Sequence, residues 1–315
     1  MLEFQVYCGG KFISTPDEID VINPYTRAVF ARTFRASSGH LENAIQAASE
    51  VEGELKNMPS FRKYQILMQI AAGLEDDIEA HAENLSLESA KPVRYARGEI
   101  QRAVQSFRIA AEESKRFPNE YISLDWTEAG QGKEGLVKHF PVGLVAGISP
   151  FNFPLNLAVH KIAPALAAGN SVVHKPSSST PLTALKLGQT MIEAGMPEGA
   201  VNVVPCSGSN ADSMVVDERI GMISFTGSPE VGWGIKSRSG RKKVALELGG
   251  NAAVVIEPDS DIEAAAARCV TGGYAYSGQV CISLQRIYVH EKIYDQFKHV
   301  FVEKVKEVTT GDPAL

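Results

Sequence analysis

Val142-Gly-Leu-Val-Ala-Gly-Ile148, followed by Ser149-Pro-Phe-Asn-Phe-Pro154, reads as a short buried strand that runs into a turn. A helical segment comes next and stops at Gly169-Asn170. Ser171-Val-Val-His-Lys175 is again strand-like. Thr180-Pro181 opens another helix, with the hydroxyl as its cap and proline as its first helical residue. That helix ends at Gly195, and Val201-Asn-Val-Val204 and Met222-Ile-Ser-Phe225 are further strands with a helical stretch between them. Strands alternating with helices of this length predict an α/β fold, a Rossmann-like parallel sheet with helices on its faces. Ligands of such sheets sit at the carboxyl ends of the strands.

Working outward, residues 1–35 carry short β-like pieces and a turn at Asn23-Pro24. Phe61, Tyr64, Leu67, Ile70, Leu74, Ile78 and Leu85 recur at three or four residues and predict one face of a single long helix, ended by Lys91-Pro92. Ile100, Ala103, Phe107, Ala110 and Ser114 predict a second helix, and residues 118–140 a hairpin. Beyond Lys243 a second α/β segment begins. Asn251–Ile256 and Leu284–His290 are its strands, Ser260-Asp-Ile-Glu263 a capping box, and Ile293–Val308 an amphipathic helix.

The 315 residues suffice for two domains, and 44% hydrophobic with 22% charged content is ordinary for a globular chain. A net charge of -6 argues against a nucleic-acid or anionic-membrane partner. No apolar run approaches membrane-spanning length, and the first residues lack the pattern of a signal peptide. The four cysteines, Cys8, Cys206, Cys269 and Cys281, fit neither a zinc motif nor a dense disulfide framework. The expectation is a reduced, cytoplasmic protein without a metal.

Five places carry chemistry. Cys281 ends Gly272-Gly-Tyr-Ala-Tyr-Ser-Gly-Gln-Val-Cys281, whose small residues let other groups approach the backbone. A thiolate there is a strong nucleophile; on this stretch alone the residue reads first as a small buried hydrophobe, the usual state of a free cysteine. Phe225-Thr-Gly-Ser-Pro-Glu-Val-Gly232 lies where a strand becomes a helix, with Ser228 as cap and Pro229 as first residue. Its free N–H groups suit a pyrophosphate, or form a plain turn. Lys175 closes its strand at the ligand end of the sheet, where it can hold a ribose hydroxyl or lie in solvent. Asn152 offers an amide N–H to an oxyanion, or makes an Asx-turn before Pro154. Glu247, amid apolar residues in Leu246-Glu-Leu-Gly-Gly250, is a general base if burial raises its pKa, or a carboxylate paired to the following turn.

Together, Pro150-Phe-Asn-Phe-Pro154, His174-Lys-Pro-Ser177, Phe225-Thr-Gly-Ser228, Glu247-Leu-Gly-Gly250 and Gly278-Gln-Val-Cys281 resemble, in order and spacing, the NAD(P)-dependent aldehyde dehydrogenase superfamily. The resemblance runs through essentially the whole chain. It implies Cys281 as nucleophile, Glu247 as general base, and Asn152 with the Cys281 N–H as oxyanion hole. It implies Lys175 at the adenosine ribose and Gly227 and Ser228 near the pyrophosphate, with Ser149, Pro150, Phe151, Ser178, Gly208, Leu248 and Gly249 also in the NAD or NADP site. The implied chemistry is addition of Cys281 to an aldehyde, loss of hydride to leave a thioester, and hydrolysis by water that Glu247 activates.

The implied domains are 1–117 with 141–246 for the cofactor, 118–140 as an oligomerisation hairpin, and 247–315 as the first part of a catalytic domain. Homodimers or homotetramers are expected of the full-length form. Ser178 stands where many NAD-preferring members have Glu, so NADP is expected to be accepted. Val280 stands where relatives acting on phosphorylated glyceraldehyde have Arg, and Cys281-Ile-Ser-Leu-Gln-Arg-Ile-Tyr-Val289 looks more like relatives acting on small aldehydes such as lactaldehyde. The family continues past Gly311-Asp-Pro313, so a fragment or truncation with little turnover is expected. A cofactor-binding remnant, a cofactor-independent cysteine hydrolase or acyltransferase, and a CoA-acylating member stay open as alternatives; Glu247 argues against the last.

Overall fold

The computed structural model describes residues 2–314. Its centre is a seven-stranded sheet in the order Lys243–Leu248, Ile220–Gly227, Leu144–Ile148, Val172–Lys175, Val201–Val203, Val6–Cys8 and Lys11–Ile13. The first five run parallel, and the last two add an antiparallel hairpin at the far edge. Numbered along the chain, the parallel strands lie in the order 5-4-1-2-3, a doubly wound arrangement. The order reverses between Leu144–Ile148 and Ile220–Gly227, which opens a crevice at their carboxyl ends.

Alternation along the strands builds two cores. Val145, Val172, Val201 and Val203 face helices Ser60–Asp76, Val93–Glu113, Asn156–Ala167 and Leu182–Glu193. Leu144, Ala146, Val173, Ile223 and Phe225 face helices Ser38–Glu50, Gly208–Val216 and Pro229–Arg238. At Gly249–Asn251 the chain leaves this sheet for a smaller one. There Ala252–Ile256 pairs in parallel with Leu284–Val289, covered by helices Ile262–Tyr274 and Tyr294–Lys306 around Ile256, Ala266, Cys269 and Phe297. Glu120–Ser123 and Glu134–Val137 form the hairpin expected over 118–140. No helix among the described residues is long and apolar enough to cross a membrane.

Three local expectations are corrected. The helix predicted from Phe61 to Leu85 is two, Ser60–Asp76 and Ile78–Ser89, broken at Asp77, and Phe61 points to solvent while Leu67, Ile70 and Leu74 are buried. Asp261, not Ser260, caps the helix Ile262–Tyr274 by accepting from the Ala264 N–H at 3.1 Å. Thr180 does not cap the helix Leu182–Glu193; its hydroxyl is buried without a partner. The cap is the carboxyl group of Glu88, whose oxygens accept from the N–H groups of Leu182 and Thr183 at 2.8 and 3.0 Å.

Candidate active site

Helix starts behind the crevice are mostly occupied already. Glu99 sits on the one that follows the first parallel strand, accepting from the N–H groups of Leu155 and Asn156 at 3.0 Å each. Glu88 sits on the next, and the Ser207 hydroxyl caps the third. The helix Pro229–Arg238 differs: Ser228 stands at its cap position with no side-chain bond to the backbone, and proline is its first residue. Its N–H groups are free to receive an anion.

Beside that helix start lies a cavity of about 510 Å³ at the switch point of the sheet. Ser149, Pro150, Lys175, Ser178, Gly208, Gly227 and Ser228 all line it. Strand register explains the convergence, because Ile148 pairs with Lys175 on one side and Phe225 on the other. A Cβ at Gly227 would lie 2.5 Å from the Phe225 ring, so this wall needs glycine. Lys175 donates to the Pro176 carbonyl at 3.0 Å, and burial lowers the pKa of its ammonium. His174 is fully buried against Ser149 Oγ at 2.9 Å, and burial pushes it down to about 3, so its ring is neutral. Phe151, Leu248 and Gly249 do not line this cavity. Phe151 lines a different cavity, Leu248 pairs in register with Gly227, and Gly249 lies beside Pro229.

Asn152 and the turn before Cys281 come together from segments far apart in sequence. The Asn152 side-chain amide donates to the Gln279 carbonyl at 3.0 Å. Tyr276, Ser277 and Gly278 hold left-handed backbone angles, φ +51°, +55° and +73°, which turn the chain sharply before Cys281. Cys281 is exposed, whereas Cys8, Cys206 and Cys269 are buried; all four are free thiols. Gly250 meets this turn from the other side: a Cβ there would lie 2.7 Å from the Cys281 carbonyl oxygen.

Glu247 is exposed, which corrects the expectation of a buried carboxylate. Its strand is the free edge of the large sheet, so only one flank is covered. Glu247 pairs in register with Thr226, whose hydroxyl accepts from Lys161 Nζ at 2.6 Å. Lys161 is buried, and burial pushes its ammonium down to about 8, opposed by the charge of Glu247. Lys161 was not legible as a site residue: it sits in an apolar helix, and only the fold places it beside Thr226.

Residues 12–315 match the model of the aldehyde dehydrogenase family. The chain is 39% identical over 313 residues to the 3-sulfolactaldehyde dehydrogenase of Priestia aryabhattai, covering 99% of this chain and 65% of that protein. It is also 39% identical to the lactaldehyde dehydrogenase of Methanocaldococcus jannaschii, over 98% of this chain and 66% of that one. The NADP-dependent glyceraldehyde-3-phosphate dehydrogenase of Bacillus halodurans, solved with NADP, superimposes with a TM-score of 0.97 at 33% identity, over 100% of this chain and 67% of that one. The chain thus spans about two thirds of the length of these proteins.

Proposed function

Since the chain belongs to the aldehyde dehydrogenase family, we propose that its protein oxidises an aldehyde to the carboxylic acid, with Cys281 as nucleophile and NAD(P)+ in the switch-point cavity. The observation that carries this reading is the Asn152 amide set against the turn of Cys281. A side-chain amide has two N–H groups. One goes to Gln279, and the other is left to receive the oxygen of a carbonyl attacked by Cys281.

The cavity fits the cofactor. It joins an uncapped helix start at Ser228 for the pyrophosphate to Lys175 and Ser178 for the adenosine ribose. When bound, the nicotinamide supplies the hydride acceptor. The sulfur of Cys281 forms a bond to the aldehyde carbon, and Asn152 stabilises the oxyanion that develops. After oxidation Cys281 carries a thioester. Glu247 takes a proton from the water that cleaves it, and the thiolate departs. Ser178 brings no negative charge into the cavity, which favours acceptance of NADP, as the likeness to an NADP-bound structure also does. Val280 and the lactaldehyde and sulfolactaldehyde relatives favour a small, polar-substituted aldehyde.

We place the cofactor domain in 1–117 and 141–246, the start of a catalytic domain in 247–315, and a self-association element in 118–140. Exposed Tyr121, Trp126, Leu136 and Phe140 support the last. Reduced-cofactor absorbance and acid product are the test, with lactaldehyde and glycolaldehyde, NAD+ and NADP+, and with or without CoA. Acid formed without cofactor reduction would refute the reading.

A further inference from the structure

We propose that the buried ion pair of Lys91 and Glu99 is a positioning device that locks the Asn152 turn to the turn before Cys281. The proposal rests on the reading of Asn152 and Cys281 given above. Each side chain of the pair is 1% exposed. A lysine beside a proline at a helix end ordinarily keeps its ammonium in water. A buried ion pair is weak evidence of stabilisation, since apolar replacements often serve as well. What the pair touches gives it a different use.

Lys91 Nζ is bonded to Glu99 and donates to the backbone carbonyl of Asn152 at 2.7 Å. The same ammonium lies 3.8 Å from the ring centre of Phe153 and 4.5 Å from that of Tyr276. Phe153 follows Asn152, and Tyr276 opens the left-handed turn that leads to Cys281. The two rings meet edge to face at 6.2 Å. Tyr276 is tied further by its hydroxyl, which donates to the Ser89 carbonyl at 3.3 Å, two residues before Lys91. Glu99 spends its other oxygen on the N–H groups of Leu155 and Asn156, where the Asn152 turn becomes a helix. One desolvated pair therefore grips the Asn152 turn directly and, through Tyr276, the turn that holds Gln279, the two segments joined by the Asn152–Gln279 hydrogen bond. A cation over two aromatic faces is held most firmly when water is excluded.

The test is the double variant K91M/E99Q, which removes both charges and leaves no lone buried one, while glutamine still offers an oxygen to Leu155 and Asn156. Hydrogen–deuterium exchange should quicken at least tenfold in segments 150–156 and 274–282 and stay unchanged in the strands Leu144–Ile148 and Val172–Lys175. NADPH affinity should hold, and the hydride-transfer burst should slow at least tenfold. Tyr276→Leu covers the case in which the double variant fails to fold. It should quicken exchange across the junction, in 150–156. Unchanged exchange in both segments, faster exchange spread evenly over the chain, or loosened turns with an unchanged burst would each overturn the proposal. If the native chain itself gives no burst, the reading of Cys281 falls, and the exchange measurements still decide whether the pair locks the two turns.

Discussion

The side-chain amide of Asn152 and the backbone carbonyl of Gln279 are 3.0 Å apart, across 127 positions of sequence. That bond joins the large sheet to the turn that carries the exposed thiol. Asn152→Ala removes both the tie and the oxyanion donor. The hydride-transfer burst should fall about 10²-fold or more, with cofactor affinity little changed. Stopped-flow absorbance and a binding titration on the same variant check this. A burst within a few-fold of native would remove Asn152 from the chemistry.

Glu247 is assigned only the second half of the reaction. Glu247→Gln should therefore keep the burst and slow release of acid by about 10²-fold. The acyl-enzyme should then accumulate and be visible by intact mass as an adduct on Cys281. Loss of the burst without an adduct would contradict this division of labour.

Gly250 has no room for a side chain beside the Cys281 carbonyl. Gly250→Ala should push the nucleophile turn out of place, leaving a folded chain with a strongly reduced burst. Alkylation of Cys281, followed by peptide mapping, should change in rate while melting shifts by only a few degrees. Native alkylation and burst rates would show that the turn yields without consequence.

Ser178 lines the cavity with Lys175. Ser178→Glu adds a carboxylate where an adenosine ribose phosphate is expected. NADP+ affinity should drop tenfold or more while NAD+ affinity holds or rises. Equal losses for both cofactors would place the ribose elsewhere.

Burial pushes the Glu88 carboxyl up to about 8, against the pull of the Thr183 hydroxyl and the N–H groups of Leu182 and Thr183. A carboxyl with a raised folded pKa binds its proton more tightly when folded. Its contribution to stability is fully present below the ordinary carboxylate value and is lost as pH rises toward 8, by at most about 1.4 kcal/mol per pH unit. Urea unfolding of Glu88→Gln against the native chain, between about pH 5 and about pH 8, should show the native chain losing ground to the variant. Parallel curves would contradict the raised value.

Much of the fold was legible because its signals are local. Short apolar runs such as Val142–Ile148, each followed by a helix of ordinary length, leave little choice but a parallel sheet. The candidate residues were legible as a set through the resemblance of five ordered motifs, and Lys175, Ser178, Gly208, Gly227 and Ser228 line one cavity because strand ends converge. What stayed hidden depends on contacts between distant segments. Thr180 looks like a cap, and the cap is Glu88, 94 residues before Leu182. Lys91 looks like a solvated helix end, yet it is buried under Phe153 and Tyr276. Glu247 sits among apolar neighbours, and its strand is an open edge. Burial is a property of the assembled layers, and hydrophobic periodicity reports it only where one element dominates its own environment.

The most direct test of the central claim, that Cys281 carries the reaction, is a rapid-mixing burst of NAD(P)H absorbance with lactaldehyde, set beside Cys281→Ala. The account predicts a burst in the native chain and none in the variant, with cofactor bound equally by both. A burst of equal size in Cys281→Ala, or no burst from a native chain that binds cofactor, would contradict it.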